Sequence, residues 1–162
     1  MDLYPWVVIL HVFAAFMFVL GHGASAMVAF AIRAEREPAR IAALLDLSGR
    51  SIGVMYLGLL VLLLAGIAAG IMRGWFGSGW IWAALGLLIL IIVAMYAIAT
   101  RYYAGLRQAL GQPARGEANQ PTTPVSQAEL VALLDSRRPE ALAAIGIGGI
   151  AIIVWLMIAK PF

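Results

Sequence analysis

Two imidazoles, His11 and His22, stand inside one uncharged run, Trp6–Ile32. Imidazole titrates near neutrality, binds metals and serves as an axial ligand of haem iron. The two residues are eleven positions apart. At about 100° per residue they differ by three turns and roughly 20°, so they share one helix face, about 16 Å apart along the axis. Gly21 and Gly23 flank His22, and Ser25 follows. These small neighbours leave space beside the ring for a flat macrocycle or for another helix. A polar side chain at lipid depth is costly and normally faces protein, which makes each histidine a candidate functional group. The pattern points to b-type haem, or a related metal cofactor, held through His11 and His22.

A second axial ligand would have to come from elsewhere, since the chain has no further histidine. Met17, Met27, Met55, Met72, Met95 and Met157 offer thioethers; five-coordinate iron or a ligand from a second protomer are the other routes. Tyr56, Met95 and Tyr96, near the ends of later apolar runs, are candidates to line such a site. Two other functions fit the same residues. Each imidazole could bond a carbonyl, or the hydroxyl of Tyr56 or Tyr96, on a neighbouring helix, and the protein would then be a non-catalytic scaffold or accessory subunit. Copper handling would use Met and His as soft ligands, but Met17 lies about 120–140° off the shared histidine face.

The remaining composition excludes a good deal. The chain is 64% hydrophobic and 12% charged, with a mean hydropathy of +0.96. A soluble domain carries about twice that charge. Four apolar runs, about 6–32, 51–72, 80–100 and 141–159, are each near the length that crosses a bilayer. None contains Asp, Glu, Lys, Arg, Asn or Gln, the groups that line ion and proton routes. No Ser–His–Asp set, carboxylate pair or H-E-x-x-H is present, and the glycines from Gly146 to Gly149 lie within a span rather than in a phosphate loop. The absence of cysteine excludes disulfides and thiolate metal sites. Met1–Pro5 has no positive charge, and the first run exceeds a signal core, so it is expected to be retained as a span.

The expected fold is therefore all-α: a single polytopic domain, a bundle of four transmembrane helices with inner linkers 33–50 and 101–140. Nine of the eleven Lys and Arg fall within 33–50 and 101–138, a topology signal rather than a nucleic-acid surface. The positive-inside rule then places both termini outside, and Trp6, Trp75, Trp80, Trp82 and Trp155 lie towards that same face. Pro38–Leu47 reads as an amphipathic surface helix or as the wet first turns of span two. Gly66 and Gly70 form a G-x-x-x-G, which lets helices approach. The short turn Arg73–Gly79 makes spans two and three antiparallel neighbours. Gly111–Val125 is expected to be mobile, and Ser126–Glu129 reads as a capping box opening a short helix through Asp135. Ala42–Asp46 (AALLD) resembles Val131–Asp135 (VALLD). Both precede a span, which suggests two related hairpins repeated in parallel.

Leu10-His11-Val12, followed by Phe18-Val19-Leu20-Gly21, resembles the first helix of small bacterial predicted integral membrane proteins of unknown function. These are distantly similar to the copper-resistance D proteins and to the haem-associated, bacterial-type protoporphyrinogen oxidases. The resemblance implies four spans and a functional histidine at His11. The oxidase-like proteins rely on polar or charged partners in later helices, and no span here contains a lysine. The likeness thus extends to the fold and to His11 rather than to that reaction. The expected location is a bacterial inner membrane, with the lipid bilayer as partner and a homo-oligomer or larger membrane complex left open as an assembly.

Overall fold

The computed structural model describes residues 2–113 and 125–162. Most of the segment read as mobile, residues 114–124, lies outside the described residues. The chain forms α1 (Tyr4–Ala34), α2 (Pro38–Met72), a single 3-10 turn (Trp75–Gly77), α3 (Gly79–Ala109), α4 (Gln127–Leu134) and α5 (Arg138–Ala159). Four helices are long and apolar enough to cross a membrane, α4 and α5 together supplying the fourth. Pro38 starts α2 without a break before span two, so Pro38–Leu47 forms the first turns of that helix. The expected capping box is present. Ser126 Oγ accepts from the Glu129 amide at 3.3 Å, and the Glu129 carboxylate accepts from the Ser126 amide at 3.0 Å.

The helices pair as two hairpins, α1 with α2 and α3 with α5, and α2 touches α3 sparingly. Lipid is as apolar as leucine, so burying leucine between helices gains little; close backbone approach gains more. Within the first hairpin that approach is made by Gly21 and Gly58. A Cβ on Gly58 would sit 2.8 Å from the Phe18 backbone nitrogen, and one on Gly21 would sit 3.0 Å from that of Met55. The G-x-x-x-G at Gly66 and Gly70 does something else: Gly66 faces the His11 ring, and Gly70 faces Phe76 and Ile81. The Gly70–Ile81 contact lies beside the Arg73–Gly79 turn, so the neighbour relation expected of spans two and three is seen at that end.

The two hairpins are bound together chiefly at their ends. At the arginine-rich end a buried cluster gathers Val28 and Ile32 of α1, Ile41 and Leu45 of α2, Tyr102, Leu106 and Ala109 of α3, and Leu130 and Leu134 of α4. A helix of 31 residues is about 46 Å long, well beyond the roughly 30 Å hydrocarbon core. Seven of the nine members, all but Val28 and Ile32, fall outside the apolar runs and among charged turns, where water can drive their burial. Around it Arg107 pairs with Asp46 at 3.0 Å, Arg36 with Asp135 at 3.1 Å, and Arg33 with Glu140. Between α1 and α2, the amides of Arg36 and Glu37 donate to the Glu35 carboxylate and, with Arg40 and Arg36 nearby, hold it below the usual carboxylate range.

At the opposite, tryptophan-rich end, Tyr4, Trp75 and Trp80 form a chain of edge-to-face contacts. The residues after α5 return to this end, where the Trp80 amide donates to the Phe162 carbonyl at 3.1 Å.

A methyl added at Gly58 cannot be accommodated by side-chain motion, because it meets backbone. Gly58→Ala should lower stability by about 1–3 kcal/mol, the usual range for overpacking. Gly148→Ala, where a Cβ meets nothing within 4 Å, should be neutral or mildly stabilising. Unfolding in mixed detergent micelles, followed by helicity, measures both; equal losses would remove Gly58 as the point of closest approach.

Candidate functional site: two histidines seated in glycine notches

His11 and His22 share a face of α1 by residue count, yet they meet different helices: α2 runs along α1 from His11 to Ile32, and α5 reaches α1 at His22. His11 faces α2. Its Nδ1 lies 2.9 Å from the carbonyl oxygen of Leu62. A carbonyl only accepts, so Nδ1 carries the proton and Nε2 keeps a lone pair. In a helix the side chain four residues on covers a carbonyl. Residue 66 is that position for Leu62, and it is glycine. A Cβ there would stand 2.9 Å from His11 Cε1 and 3.0 Å from Nδ1. The absent side chain at 66 both uncovers the acceptor and makes room for the ring.

His22 faces α5. Its Nε2 is packed against Gly146, where an added methyl would overlap the ring. Its flat face lies over Phe18, with centroids 5.9 Å apart and an interplanar angle of 15°. Of its two small neighbours, Gly21 is used against Met55, while a Cβ on Gly23 would meet nothing within 4 Å. Gly21 thus admits another helix, and Gly23 leaves open space.

Tyr56 and Tyr96 are 51% and 63% exposed and sit on the flanks of α2 and α3. Of the two kinds of partner expected for a structural imidazole, His11 takes the carbonyl, that of Leu62 on α2, and not a tyrosine hydroxyl. Met95 is partly buried on α3, a helix that packs on α5 and not along α1. Polar groups that sequence reasoning did not single out lie further towards the arginine-rich end. Ser48, only 2% exposed, is 3.5 Å from Ser25 across the α1–α2 interface, and Tyr103 of α3 adjoins both. Gly66 and Gly146 were visible as glycines, but no spacing rule links a glycine to an imidazole on another helix.

The His22–Gly146 contact joins the two hairpins at mid-span and can be isolated by a double-mutant cycle. Gly146→Ala should cost about 1–3 kcal/mol in the native background. In a His22→Ala background the same change should cost close to nothing, a coupling of the size found for contacting residues. Micellar unfolding of the four proteins gives the cycle, and an undiminished cost in His22→Ala would show that the ring does not rest on α5.

No curated protein and no solved structure matches the chain. One family model does, described as a predicted integral membrane protein (DUF2269), and it covers residues 5–161. That span takes in all four membrane helices, both histidines and the glycines that seat them, so the chain belongs to the DUF2269 family of predicted integral membrane proteins.

Proposed function

We propose that this chain is a redox-type protein of the bacterial cytoplasmic membrane that holds b-type haem, or a related metal cofactor, through Nε2 of His11. The observation that carries the reading is the bond from His11 Nδ1 to the Leu62 carbonyl at 2.9 Å. Metal-binding histidines nearly always donate their second ring nitrogen in this way, which fixes the tautomer and raises the basicity of the ligating nitrogen. Among the described residues no group of three or more His, Cys, Asp or Glu converges on a point. A bare ion needs three or four protein donors. Iron in a porphyrin brings four nitrogens of its own and asks the protein for one or two more. Haem is therefore the metal group that this donor set fits best.

Bound haem would supply reversible one-electron exchange. The chain's own contribution is orientation: the Leu62 carbonyl holds the imidazole plane, and Gly66 gives it room. His22, with Nε2 against Gly146, serves here as a spacer between hairpins rather than a ligand. The scaffold reading has two specific supports: the His11–Leu62 bond is the interhelical carbonyl contact expected of it, and each ring fills a notch left by a glycine, which it would do with no cofactor at all.

An absorption spectrum of detergent-purified protein, before and after adding haemin, separates the two. A Soret band is expected, lost in His11→Ala and kept in His22→Ala, with helicity and elution volume reporting that both variants fold. No band in the native chain after haemin leaves the scaffold.

The same proposal places both chain ends outside the cytoplasm, on the strength of the positive charge gathered at the other end of the bundle. Because the chain has no cysteine, single introduced cysteines report topology cleanly. A membrane-impermeant maleimide should label Gly77→Cys in intact cells, and Gln127→Cys only after permeabilisation. The reverse pattern would invert the orientation.

A further inference from the structure

At the tryptophan-rich end the chain holds one of its own cations against aromatic rings. Trp75 and Trp80 meet at 63°, with centroids 5.5 Å apart. The Lys160 ammonium sits 4.0 Å from the centroid of Trp75 and 5.5 Å from that of Trp80. Trp80 is 3% exposed, so one wall is dry, the condition under which cation–π attraction is strongest. Beside Trp75, at 6.3 Å, lies Tyr4, and over Tyr4 at 4.0 Å lies the guanidinium of Arg73.

Lys160 reaches this position at a conformational cost. Its φ of 43° and ψ of 59° lie in the left-handed region, and it is the one non-glycine residue with positive φ among those described. Glycine or asparagine would cap α5 more easily there. Lysine in that position aims its ammonium at the rings. Phe162 anchors the segment: its carbonyl accepts from Trp80, and its ring covers Gly79, where a Cβ would stand 2.8 Å from Phe162 Cδ2.

We propose that Trp75 and Trp80, with Tyr4 and Arg73, form a binding site for the phosphoethanolamine headgroup of a membrane lipid, and that Lys160 is a displaceable occupant of its ammonium pocket. The stand-in is a primary ammonium, the same group that ethanolamine carries. Arg73, over the Tyr4 ring that adjoins Trp75, supplies a positive charge on that side of the pocket for the phosphate that lies two carbons away in that headgroup. Aromatic side chains of this kind sit at headgroup level in a bilayer. The lipid ammonium takes the place of the lysine, and no covalent step is involved.

The test uses the full chain in a phospholipid-free maltoside, with tryptophan fluorescence as readout and free phosphoethanolamine and ethanolamine as probes. Lys160→Gly empties the pocket while favouring the same backbone; Lys160→Asn is the second variant should the first fold poorly. Phosphoethanolamine should half-saturate Lys160→Gly at a concentration at least tenfold below that for the native chain. Adding Trp75→Leu should abolish the response to both probes. Adding Arg73→Gln should weaken phosphoethanolamine several-fold and leave ethanolamine unchanged. In nanodiscs, Lys160→Gly should shift in fluorescence with phosphatidylethanolamine and not with phosphatidylglycerol. Equal affinities in the native chain and Lys160→Gly, or no saturable response in either lysine variant, would overturn the site. A response to free ethanolamine with no preference between the two lipids would overturn the headgroup assignment.

Discussion

A bilayer withdraws the force that holds most proteins together. Between helices at lipid depth there is no water to escape, so apolar side chains gain little by turning inward. Trp6, Phe13, Phe16, Leu20, Leu57, Leu64, Ile89 and Leu90 are all left largely exposed on the outside of the bundle, where lipid covers them. What remains to fix the helices is contact geometry. Gly21 and Gly58 let α1 and α2 close on each other's backbone, Gly149 receives Ile91 of α3, and Gly146 receives His22. The usual kind of core appears where water returns, at the arginine-rich end. There Ile32, Ile41, Leu45, Leu106 and Leu134 are almost wholly buried together with Tyr102.

The two similar segments, Ala42–Asp46 and Val131–Asp135, both lie at that end. Ile41 and Leu130, Leu45 and Leu134, and Asp46 and Asp135 are three pairs each separated by 89 residues. The four apolar members all enter the same cluster. The two aspartates each pair with an arginine of the other hairpin, Asp46 with Arg107 and Asp135 with Arg36. Exposed ion pairs contribute little energy, and these aspartates are more than half exposed. Their exchange between halves therefore speaks for register more than for stability. The halves differ at the entry to the membrane. α2 runs unbroken from Pro38, whereas the fourth span is interrupted after Leu134 and restarts at Arg138 with Pro139 in its first turn.

This division explains what could be read in the residues. The four apolar helices and the capping box follow from runs and local spacing, while α2 and α3 take up residues read as linker, from Pro38 and as far as Ala109. The aligned histidines were equally plain. Their partners were not, because a contact between His11 and Gly66, or His22 and Gly146, depends on how helices cross and not on any period within one helix. The G-x-x-x-G at Gly66 and Gly70 illustrates the difficulty. Its spacing is that of a close helix crossing, yet the glycines that make the crossing are Gly21 and Gly58, thirty-seven residues apart in sequence. Met95, Tyr56 and Tyr96 drew notice as polar or soft groups at lipid depth, but the helix faces on which they sit could be known only from the packing.

The two histidines can then be weighed by what each notch accomplishes. A buried imidazole must satisfy at least one ring nitrogen or bear the cost of desolvation. His22 meets a CH2 and an aromatic face, contacts that a leucine or phenylalanine would make as well. His11 meets a helical carbonyl, already the natural acceptor for the amide four residues on, and reaches it only because residue 66 lacks a side chain. A helix interior gives up about 0.5–1 kcal/mol for a glycine in place of alanine. Packing alone would be served more cheaply by alanine at 66 and an apolar residue at 11. The combination found instead ties α1 to α2 by a side-chain hydrogen bond, in which one ring nitrogen donates and the other keeps its lone pair.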